Sequence, residues 1–216
     1  MPAPLALPLA ALGGYLLGSI PTGLLVARRR GIDLREYGSG KTGFTNTLRT
    51  LGVGPALVTV AVDIGKGALA VVLARTLFDD PWATALAGLC AVAGHNWTLF
   101  AGFRGGRGVA TTFGAFLAMS PLAALAVFAA AGAVLATTRY VSLMSTVGVL
   151  SGFVVLAVLV TERAPAGLRL PAEYLLFGVL VTLLVELSHA ENIRRLLAGT
   201  EPKLGQGGGR HRRSGA

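Results

Sequence analysis

Apolar stretches of near-membrane length recur along this chain, parted by short charged segments, and that pattern admits few folds. A bilayer core requires about 20 consecutive apolar residues in helical form. Residues 3–27, 54–77, 81–100, 143–160 and 172–188 come close to that requirement or meet it. The stretch 109–136 is too long for one upright span. Ser120 and Pro121 can divide it into two short helices, because proline begins a helix better than it continues one. The expectation is an all-α integral membrane protein of about seven transmembrane helices. Only 13% of the 216 residues are charged, about half the roughly 25% of soluble domains, so the apolar runs are too many for one soluble core. Residues 1–204 read as a single polytopic domain. Residues 205–216, GQGGGRHRRSGA, read as a disordered basic tail that has no means of burying a core.

The positive charges are one-sided. Counting spans from the first places Arg28, Arg29, Arg30, Arg35, Lys41 and Arg49 on one side of the membrane, with Arg104, Arg107, Arg139 and the basic C-terminal tail. Arg163 and Arg169 fall on the other. By the positive-inside rule the N-terminus is outside and the C-terminus cytoplasmic. The N-terminal stretch is apolar with no basic residues ahead of it, so it reads as a first span and not as a cleaved signal. A net charge of +9 raises nucleic acid as a partner. The charges sit between and after the spans, and no soluble domain is left to hold a nucleic-acid fold. Cys90 is the one cysteine and lies in an apolar run, which excludes an intramolecular disulfide and argues for an inert thiol.

Every polar motif falls on the expected cytoplasmic side. GHNWTLFAGFRGGRGVATTFG, 94–114, gathers His95, Asn96, Arg104 and Arg107 among glycines. Glycines let a backbone approach a ligand and turn N–H groups toward one point. With two arginines beside them, the fitting ligand is a phosphate. The alternative is an ordinary positively charged loop, which leaves the histidine and asparagine without a reason. The earlier loop, LREYGSGKTGFTNTLRTLG, is no Walker A motif, since Arg35 stands where its first glycine belongs. It offers Ser39, Thr45, Asn46 and Arg49, hydroxyl and amide groups with a fixed charge, suited to a polyol phosphate or to simple solvation.

Within the second span Asp63 and Lys66 share a helical face. They are either functional, as ionisable groups inside a membrane often are, or an ion pair that holds helices together. GSIPTG, 18–23, would kink the first helix or pack it closely. Ser142, at the start of the sixth span, could touch phosphate or cap the helix. His189 and Asn192 share one face of a terminal helix, where His189 could orient or deprotonate a hydroxyl or serve structure alone. Glu201 reads as a tether for the tail. His95, His189 and Cys90 lack metal-ligand spacing, and no nucleophile–histidine–acid order is evident. The chemistry then rests on orienting two substrates and neutralising charge. Two readings fit, an acyltransferase with a lateral groove for a chain, or an organic-phosphate transporter.

Taken in order and spacing, GSIPTG, GSGKTGFTNTLR, DIGKG, GHNWTLFAGFRGGRGVATTFG, RYVSL and HAENIRRLLAGTE resemble the bacterial acyl-phosphate:glycerol-3-phosphate acyltransferases of the PlsY type. The resemblance covers nearly the whole chain. It implies a seven-helix enzyme of the bacterial cytoplasmic (inner) membrane, active on its cytoplasmic side. The enzyme would acylate the 1-hydroxyl of sn-glycerol 3-phosphate from acyl phosphate, the first step of phospholipid biosynthesis, with lysophosphatidic acid and inorganic phosphate as products. It implies no cofactor or metal and no covalent acyl-enzyme, the donor phosphate helping to deprotonate the acceptor hydroxyl. Partners would be the two substrates and membrane lipids, with no nucleic acid. Carried onto this chain, Ser39, Lys66, His189 and Asn192 form the expected catalytic group. Ser39, Arg49 and Lys66, with Asn46 added from its chemistry, would bind glycerol 3-phosphate. Gly105, Gly106, Arg107, Gly108, Thr45 and Ser142, joined by His95 of the same loop, would bind acyl phosphate. Lys41, Phe44 and Arg107 stand where the family has Asn, Ala and Lys, and GHNWTLF lacks its usual proline. These departures leave open an altered substrate preference or a divergent paralogue.

Overall fold

The structure, a computed structural model, describes residues 3–206 and Gly209, with side chains from Leu5 onward. Of the expected tail, only Gly205, Gln206 and Gly209 fall among the described residues. The described chain is helical, with one isolated bridge residue at Tyr37. Its α-helices are α1 (Ala3–Gly18), α2 (Thr22–Arg28), α3 (Phe44–Leu51), α4 (Val53–Phe78), α5 (Pro81–Asn96), α6 (Val109–Met119), α7 (Pro121–Thr138), α8 (Val141–Leu159), α9 (Glu173–Ser188) and α10 (Ala190–Leu197).

Local chemistry sets the boundaries. Pro21 ends the first apolar run early, so 3–27 is two helices with a break at 19–21. Ser120 parts α6 from α7 as expected, its Oγ accepting from the Ala123 N–H at 3.2 Å, with Pro121 in the first turn. Asp80 caps α5 by accepting from the Trp82 and Ala83 N–H groups at 2.7 and 3.2 Å. The run 81–100, however, leaves the helix after Asn96 and continues through a 3₁₀ turn at Leu99–Ala101. Among the described residues four stretches are long and apolar enough to cross a membrane: Leu5–Arg28 (α1 with α2), Val53–Phe78, Pro121–Thr138 and Val141–Leu159. A fifth is α9 with α10, bent by 57°, if that pair counts as one span. The expected seven apolar segments are therefore all present as helices, but α5 and α6 are short, at 16 and 11 residues.

Small residues let the helices that carry the site lie close. A side chain at Gly114 of α6 would collide with the Ile64 carbonyl of α4, and one at Gly67 of α4 with the Thr111 carbonyl of α6. This close approach is how membrane helices pack without a water-driven force. Large residues fill the centre: Phe116, Val149, Leu156, Phe177 and Val181 are buried, and the Phe116 and Phe177 rings meet edge to face at 5.6 Å. Outward, Leu57, Leu77, Leu125 and Phe128 are more than half exposed, an apolar surface suited to lipid. Phe116→Ala is expected to destabilise the fold by about 3–5 kcal/mol through the cavity it leaves, measured as a lowered unfolding midpoint in detergent.

Candidate functional site

The polar motifs, scattered in sequence, line one cavity of about 880 Å³. One end is polar, formed by the 38–49 segment, the 106–108 loop, Ser142 and the His189–Asn192 turn. The other is apolar, formed by Val60, Ile64, Phe113, Val127, Phe128 and Leu135.

Asn46 builds the first wall. It is 2% exposed, and its Nδ2 faces the carbonyls of Leu34, Tyr37 and Lys41 at 3.1, 2.9 and 2.8 Å. Its Oδ1 accepts from the Ser39 N–H at 3.2 Å. The amide expected to bind a polyol holds the loop that presents Ser39, and Asn46 also lines the cavity. Thr45 and Arg49 project from α3 into the cavity. The Arg49 Nη2 reaches the Pro202 carbonyl at 3.5 Å, and its Nε is buried without a partner.

The glycine loop is only partly an anion cradle. The N–H groups of Gly105 and Gly106 donate to the carbonyls of Asn96 and His95 at 3.1 and 3.0 Å, closing the end of α5. They are not free to turn toward a ligand, and Gly105 does not line the cavity. The cavity instead meets Gly106, Arg107, Gly108 and the start of α6, where the first-turn N–H groups and the helix dipole favour an anion. Gly108 has φ +80°, a left-handed conformation that glycine adopts without strain. The Arg107 Nε is buried without a partner.

Cations dominate this end. Burial, first, and then the nearby Arg107 charge push the Lys41 ammonium below its ordinary value. Burial likewise lowers the Arg49 and Arg107 guanidiniums, which the Glu201 carboxylate partly offsets. Among the described residues no carboxylate lies within ion-pair distance of Lys41, Arg49 or Arg107. Three cations so placed favour an anion from outside.

His189 and Asn192 also face the cavity. The His189 Nδ1 lies 2.9 Å from the Val185 carbonyl. A carbonyl only accepts, so the proton sits on Nδ1 and Nε2 is left as an acceptor. Asn192 donates to Glu201 at 2.7 Å, and Arg195 donates to the other Glu201 oxygen at 2.8 Å. Ser142, the second residue of α8, lies beside that same carboxylate, while the cap position belongs to Tyr140.

Lys66 is not brought to the cavity. Its Nζ lies 2.9 Å from Asp63 and donates to the Ile20 carbonyl at 3.0 Å, at the break in the first span. His95 and Asp63 do line the cavity, with 3.5 Å between the His95 Nδ1 and the Asp63 Oδ1. Sequence reasoning missed Glu201 as a wall residue and missed the Asp63–His95 contact. Local spacing pairs Asp63 with Lys66, and no periodicity links it to a residue on another helix.

The sequence model of glycerol-3-phosphate acyltransferase matches residues 8–199. A glycerol-3-phosphate acyltransferase of Synechococcus sp. (strain JA-3-3Ab) is 48% identical, over 95% of this chain and 97% of its own. One from Thermus thermophilus is 45% identical, over 89% and 92%. Crystal structures of PlsY, an integral membrane glycerol 3-phosphate acyltransferase, share the fold. Its glycerol 3-phosphate form superposes with a TM-score of 0.83 at 37% identity, covering 91% of this chain and 94% of that one. Its lysophosphatidic acid form gives 0.81 at 36% identity, with the same coverage. Of the two readings left open by the residues, these likenesses favour the acyltransferase over the transporter.

Proposed function

The chain belongs to the glycerol-3-phosphate acyltransferase family, and from that premise we propose that it transfers a fatty acyl group from acyl phosphate to the 1-hydroxyl of sn-glycerol 3-phosphate. The products are lysophosphatidic acid and inorganic phosphate. The observation that carries this reading is the make-up of the cavity. Cations that form no ion pair among the described residues, only partly offset by Glu191 and Glu201, stand with a helix N-terminus at one end, and an apolar groove bounded by α4, α6 and α7 runs from it. An acyl phosphate, a long chain joined to phosphate as a mixed anhydride, fits both ends at once.

In the proposed reaction the hydroxyl oxygen attacks the acyl carbonyl carbon. The bond from that carbon to the phosphate oxygen breaks, and the hydroxyl proton leaves with the phosphate. No acyl-enzyme forms. Ser39 and Arg49 hold the acceptor, and the His189 Nε2 and Asn192 orient its hydroxyl. Arg107, the Gly108 turn into α6, Thr45 and Ser142 receive the donor phosphate, with Gly106 shaping that wall, and developing charge is met by fixed cations and dipoles. Lys66, Asn46 and Gly105 act one step removed, by fixing the helix break, the 34–41 loop and the end of α5. The one-sided basic residues support an N-terminus outside with a cytoplasmic C-terminus and active site; the proposal places the chain in the bacterial inner membrane with seven passes.

The test is donor choice. Purified protein in detergent is given labelled glycerol 3-phosphate with palmitoyl phosphate or with palmitoyl-CoA. Lysophosphatidic acid and released phosphate are expected with the acyl phosphate alone. Product from the CoA ester would reject the donor assignment, and no product from either would reject the reaction.

A further inference from the structure

A buried carboxylate beneath the phosphate-facing loop has no part in the reaction above. Asp63 is 1% exposed on α4. Its Oδ1 lies 2.9 Å from the Lys66 Nζ and 3.5 Å from the His95 Nδ1. His95 holds Gly106 from two directions. Its carbonyl accepts the Gly106 N–H at 3.0 Å. Its ring fills the place of a Gly106 side chain, so that a Cβ there would collide with Nε2. One tip of the imidazole is therefore set against Asp63 and the other against the residue that precedes Arg107. A carboxylate at Nδ1 favours the proton on that nitrogen and resists a ring flip.

We propose that Asp63 is a positioning residue for the donor-phosphate loop, acting through His95. It fixes the imidazole plane, and the imidazole fixes Gly106 and with it the approach of Arg107. The alternative is that Asp63 only neutralises Lys66. The cavity favours the first, because Asp63 and His95 both border it while Lys66, though nearer to Asp63 at 2.9 Å, does not. The proposal rests on the acyl-phosphate reading, and small displacements of groups that orient a reacting phosphate can cost about a hundredfold in rate.

The experiment separates the two roles. Asp63→Asn alone leaves Lys66 as an unpaired buried charge, so both roles predict lost stability. Asp63→Asn with Lys66→Met restores charge balance. With palmitoyl phosphate as donor, the positioning role predicts that this double variant is more stable than Asp63→Asn alone but keeps a donor KM raised about tenfold, with KM for glycerol 3-phosphate within about twofold of wild type. Recovery of the donor KM, or an equal rise in both KM values, overturns the proposal. A second arm holds if that variant fails to fold. Asp63→Asn is combined with His95→Asn, and the double variant is expected to show a donor KM no higher than His95→Asn alone, since the two act in series. Additive effects overturn the proposal. Wild-type turnover of palmitoyl phosphate is measured alongside. Its absence would mark a failure of the reaction reading and not of this inference.

Discussion

Arg49→Ala is expected to raise KM for glycerol 3-phosphate by about 10- to 100-fold while leaving the unfolding midpoint unchanged or higher. The magnitude follows from losing charge-assisted hydrogen bonds worth roughly 1.5–3 kcal/mol. The stability half of the expectation carries the argument. Arg49 is half-buried, its Nε has no partner, and its one hydrogen bond is a long contact to the Pro202 carbonyl at 3.5 Å. Among the described residues no carboxylate lies within ion-pair reach of it. A half-buried cation whose charge Glu201 offsets only in part, with no ion pair made, costs folding free energy, so removing it relieves the protein even as it disables the site. A guanidinium kept for structure would behave in the opposite way, with a lowered midpoint and little change in KM. Steady-state kinetics with each substrate varied in turn, paired with thermal unfolding in detergent, distinguishes the two. A donor KM that rises as much as the acceptor KM would move Arg49 to the other phosphate.

Local chemistry made most of the helices legible. Ser120 and Pro121 announce a cap and a helix start, and both are used that way. The Pro21 break was legible as a kink, though its consequence was not: the Ile20 carbonyl accepts both the Thr22 N–H and the Lys66 ammonium, each at 3.0 Å. Residues 97–103 misled because WTLFAGF remains apolar after the helix has ended. The end is set at Trp97, which leaves helical geometry with ψ 70°, and by N–H groups returning from Gly105 and Gly106 to the last carbonyls. At the site, residue type was a better guide than role. Asn46 has the same donors whether it meets a polyol or three carbonyls, and only the folded loop shows the second. The three-residue spacing of Asp63 and Lys66 says that they share a face. It does not say that the cavity meets Asp63 and leaves Lys66 behind. Glu201 lies in a segment without periodicity, so its hold on Asn192 and Arg195 depends wholly on tertiary placement.

Gly106→Leu is expected to abolish use of the acyl donor, with kcat/KM for palmitoyl phosphate lowered more than about 100-fold. The reason is steric before it is electrostatic. Even a methyl group at Gly106 would collide with the His95 ring, and a leucine adds three more carbons beyond that collision. Overpacking of a tight site costs about 1–3 kcal/mol when neighbours can yield. Here the neighbours are the His95 ring, set against Asp63 at 3.5 Å, and the His95 carbonyl that binds the Gly106 N–H at 3.0 Å. The loop must therefore move, and it carries Arg107 and the Gly108 turn into α6 with it. Acceptor binding on the 38–49 side should survive, so KM for glycerol 3-phosphate is expected to stay near wild type in whatever activity remains. Gly106→Ala supplies the graded case: the smaller group displaces the ring less and should give an intermediate loss on the donor side alone. Wild-type donor kinetics in Gly106→Leu would show that the 106–108 loop does not receive the donor phosphate. An equal loss of both substrates would show that the substitution had collapsed the cavity as a whole.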